Sequence, residues 1–150
     1  MTLRGIISPL SAWMLLRSLR TLPVRVKQSS ESCVRVVEYL QQHKGVAKIH
    51  WPFLEDHPNK GWVERQMPVP VPMFSMQLAT EDVKQVEAFV DALGYFLIGA
   101  SWGGHESLVL PVCGFYESDL PVNLLRMYVG LEEAEELIAD LEGAFTAAGL

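Results

Sequence analysis

Ser101-Trp102-Gly103-Gly104-His105-Glu106-Ser107-Leu108, followed by Leu125-Arg126-Met127-Tyr128-Val129-Gly130-Leu131-Glu132, is the pair of stretches from which the rest of the chain is best read. A tight Gly-Gly turn holds a Ser, a Trp and a Glu, and it lies beside a strand pattern carrying one Arg among apolar residues. Arg126 in that setting is expensive unless something anionic meets it, because an unpaired buried charge is costly. The arrangement reads as a carboxylate or phosphate clamp with an aromatic wall beside it. Blander readings stand next to this one. Arg126 on an edge strand is solvated or paired to a nearby Glu, Trp102 is a core aromatic, Ser101 satisfies turn backbone, and Glu106 pairs with an Arg.

Working outward, Leu124 to Val129 has the pattern of a strand, and Tyr95 to Ala100 that of a strand entering the Gly-Gly turn. After Leu131 a helix follows with Leu137, Ile138, Leu141 and Phe145 inward, and Glu132, Glu133, Glu135 and Glu136 suit the positive end of its dipole. Thr80 caps a helix whose apolar face is Val83, Val86, Phe89, Val90 and Leu93. Met73 to Leu78 and Val46 to Trp51 alternate like strands. Five of the nine prolines fall between residues 52 and 72, which marks a surface loop. Ser8-Pro9 starts a helix with Leu10, Trp13, Met14, Leu16 and Leu19 at helical spacing. Pro23 ends or kinks it, and the helical pattern resumes from Val26 to near Gly45. Helices and strands in this order imply an α+β fold: a small, mostly antiparallel sheet with helices on one face, preceded by a long N-terminal helix. Residues 1–45 read as a linking helical segment and 46–150 as the domain proper.

The chain has 150 residues, near-half apolar content and one-fifth charge, which is ordinary for a single globular domain. A net charge of −6 without a face-sized Lys/Arg cluster argues against nucleic acid. Basic residues gather early, at Arg4, Arg17, Arg20, Arg25, Lys27 and Arg35, and acids crowd the last helix. Gly5 to Leu16 superficially resembles a signal peptide, but Pro9 interrupts it, Arg17 and Arg20 follow, and no small-residue cleavage site appears. Twelve apolar residues are too few to span a bilayer, so a soluble, cytoplasmic protein without a membrane partner is expected. Cys33 and Cys113 lie far apart with no C-x-x-C, so no structural zinc is implied, and a reducing compartment fits better than a disulfide.

Other chemistries lack their residues. No G-x-S-x-G elbow surrounds Ser101 or Ser107, and Gly103-Gly104 has neither a dinucleotide nor a P-loop context. His43, His50 and His57 are separated by Gly45 and Pro52 and do not share a helix. Lys27, Lys44, Lys48, Lys60 and Lys84 all occupy polar, surface-like positions, unlike a desolvated catalytic amine.

Taken together the segments resemble the C-terminal domain of the Cys/Met-metabolism PLP-dependent enzymes, fold-type I, most like the cystathionine β-lyase branch. Ser8-Pro9 with Leu15-Leu16-Arg17-Ser18-Leu19-Arg20-Thr21-Leu22 is similar to that family's S-P…L-x-R-G-L-x-T-L, with Ser18 in place of Gly. Val46 to Pro52 and His57-Pro58 resemble its strand and "YPGL…HP" loop. Phe74-Ser75 resembles its F-S strand, although Val69-Pro70-Val71-Pro72 replaces the Gly-rich lead-in. Ser101-Trp102-Gly103-Gly104 with Glu106-Ser107-Leu108 matches S-[LW]-G-G-x-E-S-L, and Trp102 rather than Leu points to the β-lyase branch. Arg126 to Glu132 matches R-L-S-V-G-L-E with Met127 and Tyr128 departing, and Ile138-Ala139-Asp140-Leu141 matches the closing helix.

The resemblance implies that Arg126 binds the substrate α-carboxylate and that Ser101 and Trp102 line the substrate pocket. It implies pyridoxal 5'-phosphate (PLP) in the complete enzyme, which would release homocysteine, pyruvate and ammonia from cystathionine in transsulfuration and methionine biosynthesis. The family's larger domain carries the Schiff-base lysine, the Asp facing the pyridinium, the stacking Tyr and the phosphate-binding groups. No segment here resembles them. The chain is therefore expected to hold no PLP and to be inactive alone: a fragment, a subunit completed by a partner chain carrying the PLP domain, or an excised domain. A non-catalytic amino-acid-binding or regulatory domain and a vestigial fragment are the alternatives. Trp13, Met14 and Leu16, which in the full fold pack on the missing domain, are expected to be exposed and to favour self-association.

Overall fold

Pro23 decides the architecture of the first forty residues. The structure is a computed structural model that describes residues 5–112 and 119–150. Helix α1 (Pro9–Leu19) starts at Ser8, whose Oγ accepts from Ser11 N at 3.1 Å. It ends before Pro23, which has no N–H to donate back to Leu19 and whose ring opposes that carbonyl. Pro23 instead lies in the first turn of α2 (Leu22–Leu40), where a missing N–H costs nothing. The long N-terminal helix expected from the sequence, with an end or kink at Pro23, is thus two helices separated just ahead of that proline. Arg25 ties the break together, donating through Nη2 to Ser18 O at 3.2 Å and through Nε to Thr21 Oγ1 at 3.3 Å.

Strand β1 (Val46–His50) follows, then a short helix α3 (Lys60–Gln66) inside the proline-rich stretch read as pure loop. Strand β2 (Met73–Leu78) leads to α4 (Val83–Ala92), whose N-cap is Asp82: its side chain accepts from Lys84 N at 2.9 Å. Thr80, the expected cap, lies two residues too early and accepts from Asp82 N instead. Strand β3 is only Leu97–Ile98; β4 (Leu108–Pro111), not expected from the sequence, precedes β5 (Leu124–Tyr128). Helix α5 (Ala134–Ala148) begins three residues later than expected and ends at Gly149, in the left-handed conformation that favours glycine at φ 71°.

The sheet runs β1-β2-β5-β4-β3, antiparallel except for the short β3–β4 pair. β5 is therefore central, and Arg126 lies opposite Ser75 of β2 and Leu110 of β4. One face carries Phe74, Met76, Val109, Leu125 and Met127, which join residues of α2, α4 and α5 in a single core. Cys33, Val36, Val37 and Leu40 bring α2 into that core, and His43 beyond it stacks on Phe145 at 3.9 Å. Tyr128, Leu108 and Leu110 are buried but lie outside that cluster, on the other side of the sheet. This second face is where the site is built.

Cys33 is a free buried thiol whose pKa is pushed up to about 12 by burial; Cys113 and Arg4 lie outside the described residues. Among the described residues no helix is long and apolar enough to cross a membrane.

Candidate functional site: an arginine beneath a glycine turn

Side chains alternate along a strand, so Arg126 and Tyr128 point to the same face of β5. Both reach the loop that crosses that face between β3 and β4. Arg126 Nη2 donates to Ala100 O at 2.6 Å and to Ser101 O at 3.1 Å. Two residues along, the Tyr128 hydroxyl donates to Gly104 O at 3.1 Å. Between these anchors Gly103 takes φ 81°, a left-handed conformation that glycine adopts without steric penalty.

The loop's far end is held by the end of β5. Leu131 N donates to His105 O at 2.8 Å. Glu132 accepts from Ser107 N at 3.0 Å and from Ser107 Oγ at 2.9 Å, and Ser107 Oγ in turn accepts from Gly130 N at 2.9 Å. Gly130 is required by proximity: a Cβ there would stand 2.2 Å from His105 O. Helix α2 supports the same segment from the other side. Ser29 Oγ donates to Val129 O and Ser32 Oγ to Glu132 O, the latter at 3.0 Å.

Arg126 and Ser101 are brought together, through the serine's carbonyl rather than its hydroxyl. Trp102, next along the loop, is 65% exposed, so it is not a core aromatic. Arg126 sits on the central strand and makes no ion pair among the described residues. Glu106 faces His105, 3.1 Å from its Nδ1, rather than an arginine. The unsatisfied part of the site is the guanidinium itself. Its Nε is buried without a hydrogen-bond partner, and Nη1 donates to nothing among the described residues. A buried donor without a partner costs about 1–3 kcal/mol, and a planar cation with spare donors is suited to a carboxylate.

Sequence reasoning singled out Arg126, Ser101 and Trp102 and did not anticipate the hydrogen bonds of Tyr128 and Glu132. The G-L-E run was visible, yet nothing in it says that the Glu reaches back twenty-five residues to Ser107. None of the five lysines is buried, and none lies on β5 or the loop from 99 to 107. Lys60 pairs with Glu55, whose hydrogen bond raises the lysine's pKa. A separate open cavity of about 740 Å³ runs along β1 and residues 52–58, and Arg126, Ser101 and Trp102 are not part of its lining.

The sequence profile of a family described as "Cys/Met metabolism PLP-dependent enzyme" matches residues 2–146. Cystathionine beta-lyase MetC of Escherichia coli strain K12 is 32% identical over 144 residues, which cover 90% of this chain and 36% of that protein. An L-alanine/L-glutamate racemase of Wolbachia pipientis wMel is 33% identical over 135 residues, 85% of this chain and 34% of that one. Among solved structures, cystathionine gamma synthase from Xanthomonas oryzae pv. oryzae, in complex with aminoacrylate and cysteine, superposes with a TM-score of 0.84 at 32% identity. That match covers 95% of this chain and 39% of the other. The chain thus spans between a third and two fifths of the length of the relatives it matches.

Proposed function

Since the chain belongs to the Cys/Met metabolism PLP-dependent enzyme family, we propose that it is the part of such an enzyme that grips the α-carboxylate of a sulfur amino acid, in a cystathionine β-lyase-like carbon–sulfur lyase. The observation that carries this reading is Arg126, a guanidinium fastened by Nη2 to two loop carbonyls while its buried Nε has no partner. A substrate carboxylate is the anion that family chemistry brings to such a group. The sulfur amino acid follows from the names of several relatives; the racemase shares the amino-acid class but not the sulfur.

PLP supplies an electron sink for bonds at the substrate Cα. The described residues do not fit a chain that holds PLP unaided: every lysine is at the surface, none is at the clamp, and no reaction step is assigned to this chain alone. What its own residues do is bind and orient. Arg126 donates to the carboxylate, the carbonyls of Ala100 and Ser101 hold the guanidinium plane, and Trp102 forms an aromatic wall over the substrate. Fixing the amino acid by its carboxylate aligns the bond to be broken, the entropic part of catalysis. The exposed apolar residues of α1, Trp13, Met14 and Leu16 among them, pack against the PLP-binding part, whether that part is a longer stretch of the same protein or a partner chain.

An NMR titration of the ¹⁵N-labelled chain with L-cystathionine tests the grip. Shifts centred on Ala100 to Gly104 and Arg126 are expected, lost in Arg126→Ala and weakened in Arg126→Lys, which keeps the charge but loses the fork. A wild-type chain whose spectrum ignores the ligand would overturn the reading. The same chain with added PLP is expected to release no pyruvate from L-cystathionine, and measurable release would place the whole reaction within these 150 residues. Binding without chemistry even beside a PLP-carrying partner would favour the alternative of an amino-acid-binding regulatory domain.

A further inference from the structure

We propose that Tyr128 is a positioning residue for the carboxylate grip: by holding Gly104 O it fixes the loop arch whose carbonyls orient Arg126. The inference rests on the reading of Arg126 given above. Its basis is that one strand face carries both struts of one short arch. Arg126 holds residues 100 and 101 and Tyr128 holds residue 104, with Gly103 in the left-handed region between them. The latch from Glu132 and Leu131 begins only at residues 105–107. Within residues 101–104, Tyr128 therefore supplies the tie that stands between the arginine's anchor and that latch.

The chemistry follows from how Arg126 is held. Its Nη2 bonds to backbone carbonyls, so the orientation of the guanidinium plane is as firm as the peptide units that accept from it. Releasing Gly104 O frees rotation at Gly103, where no side chain resists it, and the slack passes to Ser101 and Ala100. The guanidinium then samples more orientations, and a carboxylate has to order it on binding. Ordering of this kind weakens affinity without any loss of a direct contact. The Tyr128 ring itself is fixed: it is only 5% exposed, with Leu108 and Met73 as its cross-strand neighbours. The strut is thus anchored on the sheet and acts on the loop.

Tyr128→Phe keeps the ring and removes the hydroxyl. In ¹H–¹⁵N spectra of the full chain, the Gly103 and Gly104 amides and the Arg126 Nε–H are expected to shift or broaden. The Trp51 Nε1–H, bonded to Val71 O at 3.0 Å within the main core, is expected to stay in place and reports an intact fold. With L-methionine as the probe, affinity is expected to fall about five-fold, the scale of one hydrogen bond. A role confined to packing would leave the Arg126 Nε–H and the affinity unmoved, and that result overturns the proposal. Movement of the glycines alone, with Arg126 unchanged, also overturns it. If the wild-type chain binds no L-methionine, the carboxylate reading fails by itself. The Arg126 Nε–H signal in Tyr128→Phe then decides whether the strut orients the arginine.

Discussion

Helices α1 and α5 are both rich in apolar residues and close in length, yet they meet opposite fates. None of the eleven residues of α1 is buried, and Leu10, Trp13, Met14, Leu15, Leu16 and Leu19 are all exposed. α5 buries Ala134, Leu137, Leu141, Ala144, Phe145 and Ala148, one stripe at steps of three and four with acids on its other side. The α5 pattern belongs to a helix covered on one face. That of α1, apolar on several sides, belongs to a helix covered on more than one. Apolar content is thus no measure of burial in this chain; what matters is whether a complementary face is at hand. For α5, α4 and α2 provide it in a core shared with the sheet, and for α1 the described residues offer only slight contact with α2.

Substitutions can break this contrast or sharpen it. Phe145→Ala should have the largest effect, because the ring is fully buried, stacks on His43 and lies 4.8 Å from Phe89. A loss of about 4 kcal/mol is expected in urea unfolding. Gly130→Ala tests the connection leading into α5. The added methyl meets His105 O at 2.2 Å, a backbone atom that cannot swing aside, and about 3 kcal/mol should be lost. A cost near zero there would mean that the loop at His105 yields to the methyl.

The tie between α2 and α5 has a smaller, pH-dependent effect. Hydrogen bonds from Arg35, at 2.6 and 2.9 Å, hold the Glu135 carboxyl below its ordinary value of 4.5. A carboxyl with a depressed folded pKa adds stability above its unfolded value, and this is lost as pH falls through the folded one. Melting temperature in Glu135→Gln should therefore decline less steeply than wild type below about pH 4.5, with the difference saturating above it. Both partners are exposed, so screening keeps this effect slight, and added salt should erase it.

Trp13→Ala completes the series at the bottom. Its cost to unfolding should stay under about 0.5 kcal/mol, because the side chain is 60% exposed. Sedimentation across a concentration series should instead show weaker self-association than wild type. A loss of stability comparable to that of Phe145→Ala would collapse the distinction between the two helices.

How much of this was legible beforehand varied by element. Met73–Leu78 was read to the residue because alternation is strict there, one face in the core and the other half-buried. β4 went unread because Leu108, Val109 and Leu110 are all buried and so show no alternation. α3 was hidden among prolines, although it fits between Pro58 and Pro68 without containing either. At the candidate site, Arg126 stood out because an isolated cation in an apolar strand is conspicuous by composition. Tyr128 was read only as a departure from the family pattern, since a tyrosine's hydroxyl partner is invisible until the fold brings Gly104 over it.

By itself the sequence determined most of the helices and strands, that the chain is α+β, and that Arg126 is the group to explain. Those signals are local, carried by periodicity, prolines and caps within a few residues. Only the tertiary structure decided that β5 is the central strand, that α1 stands uncovered among the described residues, and that Arg126 is held by backbone carbonyls instead of a carboxylate. These depend on contacts between residues more than twenty positions apart, such as Arg126 with Ala100 and Ser107 with Glu132. Their energies exist only once the sheet has assembled.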